Sequence, residues 1–172
     1  MKRSRLCVLA VSFFWLLAGS TVWAQKYDDK EHAELAKALK DAKVSLEKGL
    51  SASESQGKPI SGKFEVEDGK LQLSVYTMKG DKFSEVIVDH KTGKTAKTEA
   101  ITGGDDLAAA KAQSGAMAKA KVSLRSATEK AVKANNGYRA VSVTPSLKDG
   151  HPVAEVTLVK GTEFKTVSEK LE

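Results

Sequence analysis

The sequence has almost no cysteine. Cys7 is the single one in 172 residues, and it lies in an N-terminal leader, so the rest of the chain is excluded from disulfide and thiolate chemistry. A fold without covalent staples depends on its core, and a unit of about 70 residues is near the lower limit for that. Arginine is scarce too: beyond the leader only Arg125 and Arg139 remain, too few for bidentate recognition of phosphates. There is no block of like charge. The formal net charge of +6 includes three leader cations, Lys2, Arg3 and Arg5. The remaining acids and bases alternate along the chain, as on a solvated surface, which argues against a nucleic-acid partner. Long apolar runs are also missing. Residues 6–18 form an apolar stretch of 13 residues, short of the ~20 a membrane-spanning helix needs.

That short run follows a basic start and precedes Val22-Trp23-Ala24, the anatomy of a secretory signal peptide cut before Gln25. Residues 1–24 are therefore expected to be a signal peptide. The mature protein is expected to be periplasmic or secreted, with no stable membrane anchor after cleavage. Ser20 stands where a lipoprotein would need cysteine.

The chain also lacks a recognisable set of catalytic residues. His32, His90 and His151 are the only histidines, and none has another His or a mature Cys at ligand spacing; a zinc site wants about four N, S or O ligands. Asp89 adjoins His90, but adjacent strand residues point to opposite faces, a poor dyad geometry. Asp28-Asp29 and Asp105-Asp106 precede helical patterns, where carboxylates cap the start or suit its dipole. Gly103-Gly104 has no following Lys-Ser/Thr, so it does not make a phosphate loop. No catalytic, cofactor-binding or metal-binding residue is assigned. The expectation is a protein that is not an enzyme and uses no cofactor.

What the chain does contain is a repeat. Ala42-Lys43-Val44-Ser45-Leu46 recurs letter for letter as Ala120-Lys121-Val122-Ser123-Leu124, an offset of 78 residues. Asp68-Gly69 returns as Asp149-Gly150, Lys79-Gly80 as Lys160-Gly161 and Phe83 as Phe164, at an offset of 81. One unit is used twice, with a few residues gained in the second copy before its Asp-Gly turn. In each copy an apolar stripe at helical spacing comes first: Leu35, Leu39, Ala42 and Leu46, then Met117, Ala120, Leu124, Ala127, Ala131 and Ala134. Ser45 is a good N-cap and Val44 lies off the stripe, so the helix could break there; one long helix, kinked at that point, is preferred. Three alternating runs follow, over 60–67, 71–78 and 83–89, then 138–147, 152–160 and 163–170. Asp-Gly is a strong hairpin signal because both turn residues tolerate positive φ. Phe83 has the opposite parity to Val86 and Val88, which suggests a bulge or a turn-anchored ring. Pro145 and Pro152 point to edge positions or strand starts, and residues 94–101 read as a short extended tail. Tyr76 and Met78 share the strand face opposite Leu73 and Val75. That face is either the second side of a buried sheet or an exposed apolar strip for a partner. The expected fold is α+β: two repeats of a helix followed by a three-stranded antiparallel sheet, the helix packed on one sheet face. The first repeat spans 25–101, the linker 102–104 and the second repeat 105–172.

The helix after Val44-Ser45-Leu46-Glu47, the Asp68-Gly69 turn, and the run Val86-Ile87-Val88-Asp89-His90-Lys91-Thr92-Gly93-Lys94 together resemble a PepSY domain over residues 43–95. The second copy, 121–172, is similar through Phe164 and Val167. It departs where Ser168-Glu169-Lys170 replaces the Asp-x-x-Thr-Gly turn. PepSY domains occur in pro-segments of secreted peptidases and free-standing in bacterial envelope proteins. The resemblance implies a protein-binding module that inhibits or regulates a peptidase, and it supplies no catalytic residue. The partner is thus expected to be a protein, a peptidase being one candidate, with homo-oligomerisation as a further expectation for such small units. The competing reading is a structural or ligand-binding envelope protein with a groove between its two sheets.

Overall fold

Both Asp-Gly turns take the conformation that their chemistry favours. Asp68 and Gly69 have φ of 49° and 72°, and Asp149 and Gly150 have 53° and 81°, so each pair closes a two-residue hairpin. The computed structural model describes residues 29–172; the expected signal peptide and Asp28 lie outside the described residues. The elements are α1 (Asp29–Ala38), a single tight helical turn (Leu39–Asp41), α2 (Leu46–Ser53), β1 (Lys58–Glu67), β2 (Lys70–Lys79), β3 (Lys82–Val88) and β4 (Thr95–Ile101). Then come α3 (Gly104–Lys119), α4 (Leu124–Ala134), β5 (Arg139–Lys148), β6 (His151–Lys160) and β7 (Glu163–Lys170).

The α+β class holds, but the two three-stranded sheets do not. All seven strands form one antiparallel sheet in the order β4-β3-β2-β1-β5-β6-β7. The copies join edge to edge through β1 and β5, where Gly62 opposes Val143 and Lys63 opposes Ser142. Gly62 and Val143 are themselves 81 residues apart, so a pseudo-twofold axis passes through this pair. No groove lies between two sheets, because there is one sheet. Proline placement changes accordingly. Pro145 sits in an interior strand rather than at an edge. Continuing the β1–β5 register sets it opposite Ile60, which is bulged out between Pro59 and Ser61, so its missing N–H falls outside the paired segment. Pro152 is the second residue of β6, close to the expected strand start. The presumed tail 94–101 is the edge strand β4, and the bulge near Phe83 is not there: Phe83 pairs in regular register with Met78. Its ring lies on the other face of the sheet from Val86, only 8 % exposed within the core.

The second correction concerns the repeated pentapeptide, where each long helix is broken. Ala42 and Ala120 are extended. Ser45 Oγ accepts from the Lys48 amide at 3.3 Å and Ser123 Oγ from the Ser126 amide at 3.1 Å, so each serine caps a new helix. The break is held by strand ends. The amides of Lys43 and Val44 donate to the His90 carbonyl at 2.9 and 3.2 Å, and those of Lys121 and Val122 to the Leu171 carbonyl at 2.7 and 3.0 Å. Two amides per copy bonded to a β-strand end are unavailable for a continuing helix. The shift in repeat offset from 78 to 81 is absorbed in the next helix, which has 8 residues in α2 and 11 in α4. At the start of α3, Gly103 is the N-cap and Asp105 and Asp106 lie in the first turn, where they favour the helix dipole without capping.

α2 and α4 cover one face of the sheet. Gly49 of α2 presses on Leu73: a Cβ there would stand 2.6 Å from Leu73 Cδ2. Leu46, Leu50, Phe64, Leu73, Val75, Val86, Leu124, Val143, Val156 and Leu158 fill the layer between helices and strands with almost no exposure. α3 reaches side chains of the opposite face. Ser61 Oγ donates to Gln113 Oε1 at 2.8 Å, and Ser114 Oγ donates to Met78 Sδ at 3.1 Å.

Candidate functional site

The polar groups of the fold mostly hold it together. Arg139, at the start of β5, donates to the carbonyls of Leu39 (3.2 Å) and Val44 (3.1 Å), and its guanidinium lies 5.3 Å from the Phe64 ring centroid. Lys58, at the start of β1, donates to the Met117 carbonyl at 3.3 Å. These are corresponding positions in the two copies, and each cation satisfies the end of a helix from the other copy. Sequence reading gave Arg139 no role; the available signal was that a basic residue opens the first strand of both copies.

The turn at residues 89–94 has a similar structural use. Asp89 Oδ1 accepts from the amides of Lys91 (2.9 Å) and Thr92 (2.7 Å) and from the Thr92 hydroxyl (3.0 Å). These donors hold its carboxyl below the usual carboxylate range. Gly93 has φ of 74°, and a Cβ on it would meet Val44 Cγ1 at 3.3 Å. The turn is therefore a pad on which the pentapeptide docks. Asp89 is committed to its own turn and is not bonded to His90, whose Nδ1 is buried with no hydrogen-bond partner.

The other histidines are engaged separately. The His32 ring stacks on Phe164 with centroids 4.1 Å apart, and His151 Nδ1 meets Glu172 Oε1 at 2.8 Å. Among the described residues no group of three His, Cys, Asp or Glu side chains could hold a metal ion, and no described helix is long and apolar enough to cross a membrane.

On the sheet face opposite α2, Lys63 and Glu65 form an ion pair beside Ser74, Tyr76 and Glu85. Burial, and then the Glu85, Glu65 and Asp106 carboxylates, hold the Tyr76 phenol above its ordinary pKa. A shallow open depression is lined by Glu85, Glu99, Ile101, Gly103 and Asp106. It presents carboxylates without a positioned nucleophile or base pair. Tyr76 and Met78 are both half-buried, so they do not form an exposed apolar strip. Leu147, 43 % exposed, is the one exposed large apolar side chain among the described residues.

The two sheet edges remain. Six of the seven residues of β4 are exposed and Ile101 is half-buried. At the other edge, the side chains of β7 are engaged within the chain. Phe164 is covered by His32, Tyr138 Oη donates to Glu163 at 2.6 Å, Lys165 Nζ lies 3.9 Å from the Tyr138 ring centroid, and Glu169 pairs with Lys130 at 2.6 Å. Each edge strand has a neighbour on one side only, so each presents backbone donors and acceptors along its outer side.

In comparisons with known proteins, no family model, no curated protein and no solved structure matches the chain.

Proposed function

We propose that the protein is a non-catalytic, PepSY-like protein-binding module of the cell envelope, and that the partner it restrains is a secreted or envelope peptidase. The observation that carries this reading is the β7 edge. It is an open backbone edge whose side chains are already fixed by contacts with α1, α4 and the Tyr138 loop. An extended segment of a partner adds to such an edge through main-chain hydrogen bonds, and a preorganised edge loses little entropy when it does. Peptidases that bind substrates in extended form offer segments of this kind.

The test adds purified protein to a periplasmic metallopeptidase. Peptide hydrolysis should slow, and amide exchange should slow over Glu163–Lys170. Hydrolysis at the full rate, with no peptidase retained on immobilised protein, removes the peptidase reading. Retention without protection of β7 removes the edge from it.

A further inference from the structure

β4 reads as complementary to itself. Its seven residues are Thr95-Ala96-Lys97-Thr98-Glu99-Ala100-Ile101. Two antiparallel copies related by a twofold axis through Thr98 would place Lys97 of each opposite Glu99 of the other, with Thr98 opposite Thr98. Directly opposed residues of antiparallel strands are the pairs that interact, so the register forms two opposite-charge pairs at once. We propose that β4 is the contact by which two copies of this chain associate, joining their sheets edge to edge into one continuous sheet.

The register of β4 on β3 fits this use. Lys97, Glu99 and Ile101 oppose Ile87, Glu85 and Phe83, so the charges share one face, while Thr98 and Ala100 lie on the other. Small side chains on that second face leave room for another sheet edge. The irregularity in β4 falls at Ala96, between Val88 and Ile87 of the partner strand, outside the Lys97–Thr98–Glu99 centre. Glu99 opposes the half-buried Glu85 across the β3–β4 pair. Edge strands commonly carry lysine to prevent pairing. Here a glutamate two residues on converts the repulsion of lysine against lysine into attraction in the twofold register. Within one copy Lys97 Nζ and Glu99 Oε1 already pair at 2.7 Å, an exposed contact of small worth, which the twofold register exchanges for two pairs between copies. On β7, Lys165 and Glu169 are held instead by Tyr138 and Lys130. The contact is isologous and closed, so it stops at two copies.

Sedimentation velocity of the purified protein across a concentration series is the test, with Lys97→Glu and Glu99→Lys as variants. Both positions are exposed, so the fold should tolerate each. The unmodified protein should form a dimer. Each variant opposes like charges twice and should weaken the dimer about tenfold or more. An equal mixture of the two variants restores both opposite-charge pairs and should recover a heterodimer. A monomer at every concentration overturns the proposal, and so does a dimer insensitive to both variants. An open-ended polymer, which a β4–β7 contact would produce, overturns it too. Peptidase inhibition uses the other edge, so both variants should inhibit as the unmodified protein does; the two readings therefore fail separately.

Discussion

Glu85 is a half-buried carboxylate on a strand face that already carries Glu65. Burial raises its pKa, and the nearby Glu65 and Glu67 raise it further, while a hydrogen bond with Ser74 and the charge of Lys63 work the other way. The folded state therefore binds this proton more tightly than the unfolded chain does. By linkage, the stability contribution is greatest below the ordinary glutamate pKa and is lost as pH rises through the raised folded value. Glu85→Gln keeps the shape and removes the charge. Its melting temperature should exceed that of the unmodified protein at pH 7, and the gain should disappear below about pH 4, where glutamate is protonated in either state. A gain that persists unchanged at low pH would mean that packing, not ionisation, is responsible.

At the scale of elements, the two helix–strand layers solve one packing problem with different residue pairs. In the first copy Gly49 of α2 receives Leu73 of β2. In the second, Ala127 of α4 and Ala154 of β6 hold the corresponding places, both buried. The bulk moves from strand to helix. Gly49→Ala forces a methyl against Leu73 and should destabilise by about 1–3 kcal/mol, the usual cost of overpacking a filled core. Adding Leu73→Val should recover part of that loss in denaturant titrations; a second, additive loss would show that the two residues do not share the space. Such pairings are invisible in sequence, because apolar periodicity reports which face is buried and not what it meets. The hairpins were legible for the opposite reason: Asp68-Gly69 and Asp149-Gly150 encode backbone angles locally. The helix break lay between these cases. Ser45 and Ser123 carried a capping signal, but the amides that enforce the break bond to the carbonyls of His90 and Leu171, distant in sequence. The edge position of β4 was likewise obscured, since Thr95–Ile101 has none of the one-sided apolar alternation that marks β2 or β6.

At the scale of the whole molecule, the merging of two sheets into one could not be read from strand patterns, because β1 and β5 alternate in the same way whether their outer sides are open or paired. The join itself is short, two opposed residue pairs around Gly62 and Val143. It is reinforced by the reciprocal cations: Arg139 reaches from the second copy to the carbonyls of Leu39 and Val44 in the first, and Lys58 reaches from the first to the carbonyl of Met117 in the second. Each copy alone is near the lower size limit for a stable core, so each depends on groups that the other supplies. The molecule should then unfold in one transition, with calorimetric and van't Hoff enthalpies equal. Arg139→Met keeps much of the side-chain volume and removes both charged donors, the Leu39 carbonyl keeping only the Ala42 amide at 3.2 Å. It should cost about 1.5–3 kcal/mol, the range for hydrogen bonds from a charged group. If the copies are one cooperative unit, that loss lowers a single transition and speeds amide exchange equally in β2 and β6, although Arg139 contacts neither strand's centre. Two separated transitions in the variant, with β6 unfolding at its original temperature, would show instead that the β1–β5 join couples the copies only while Arg139 holds them.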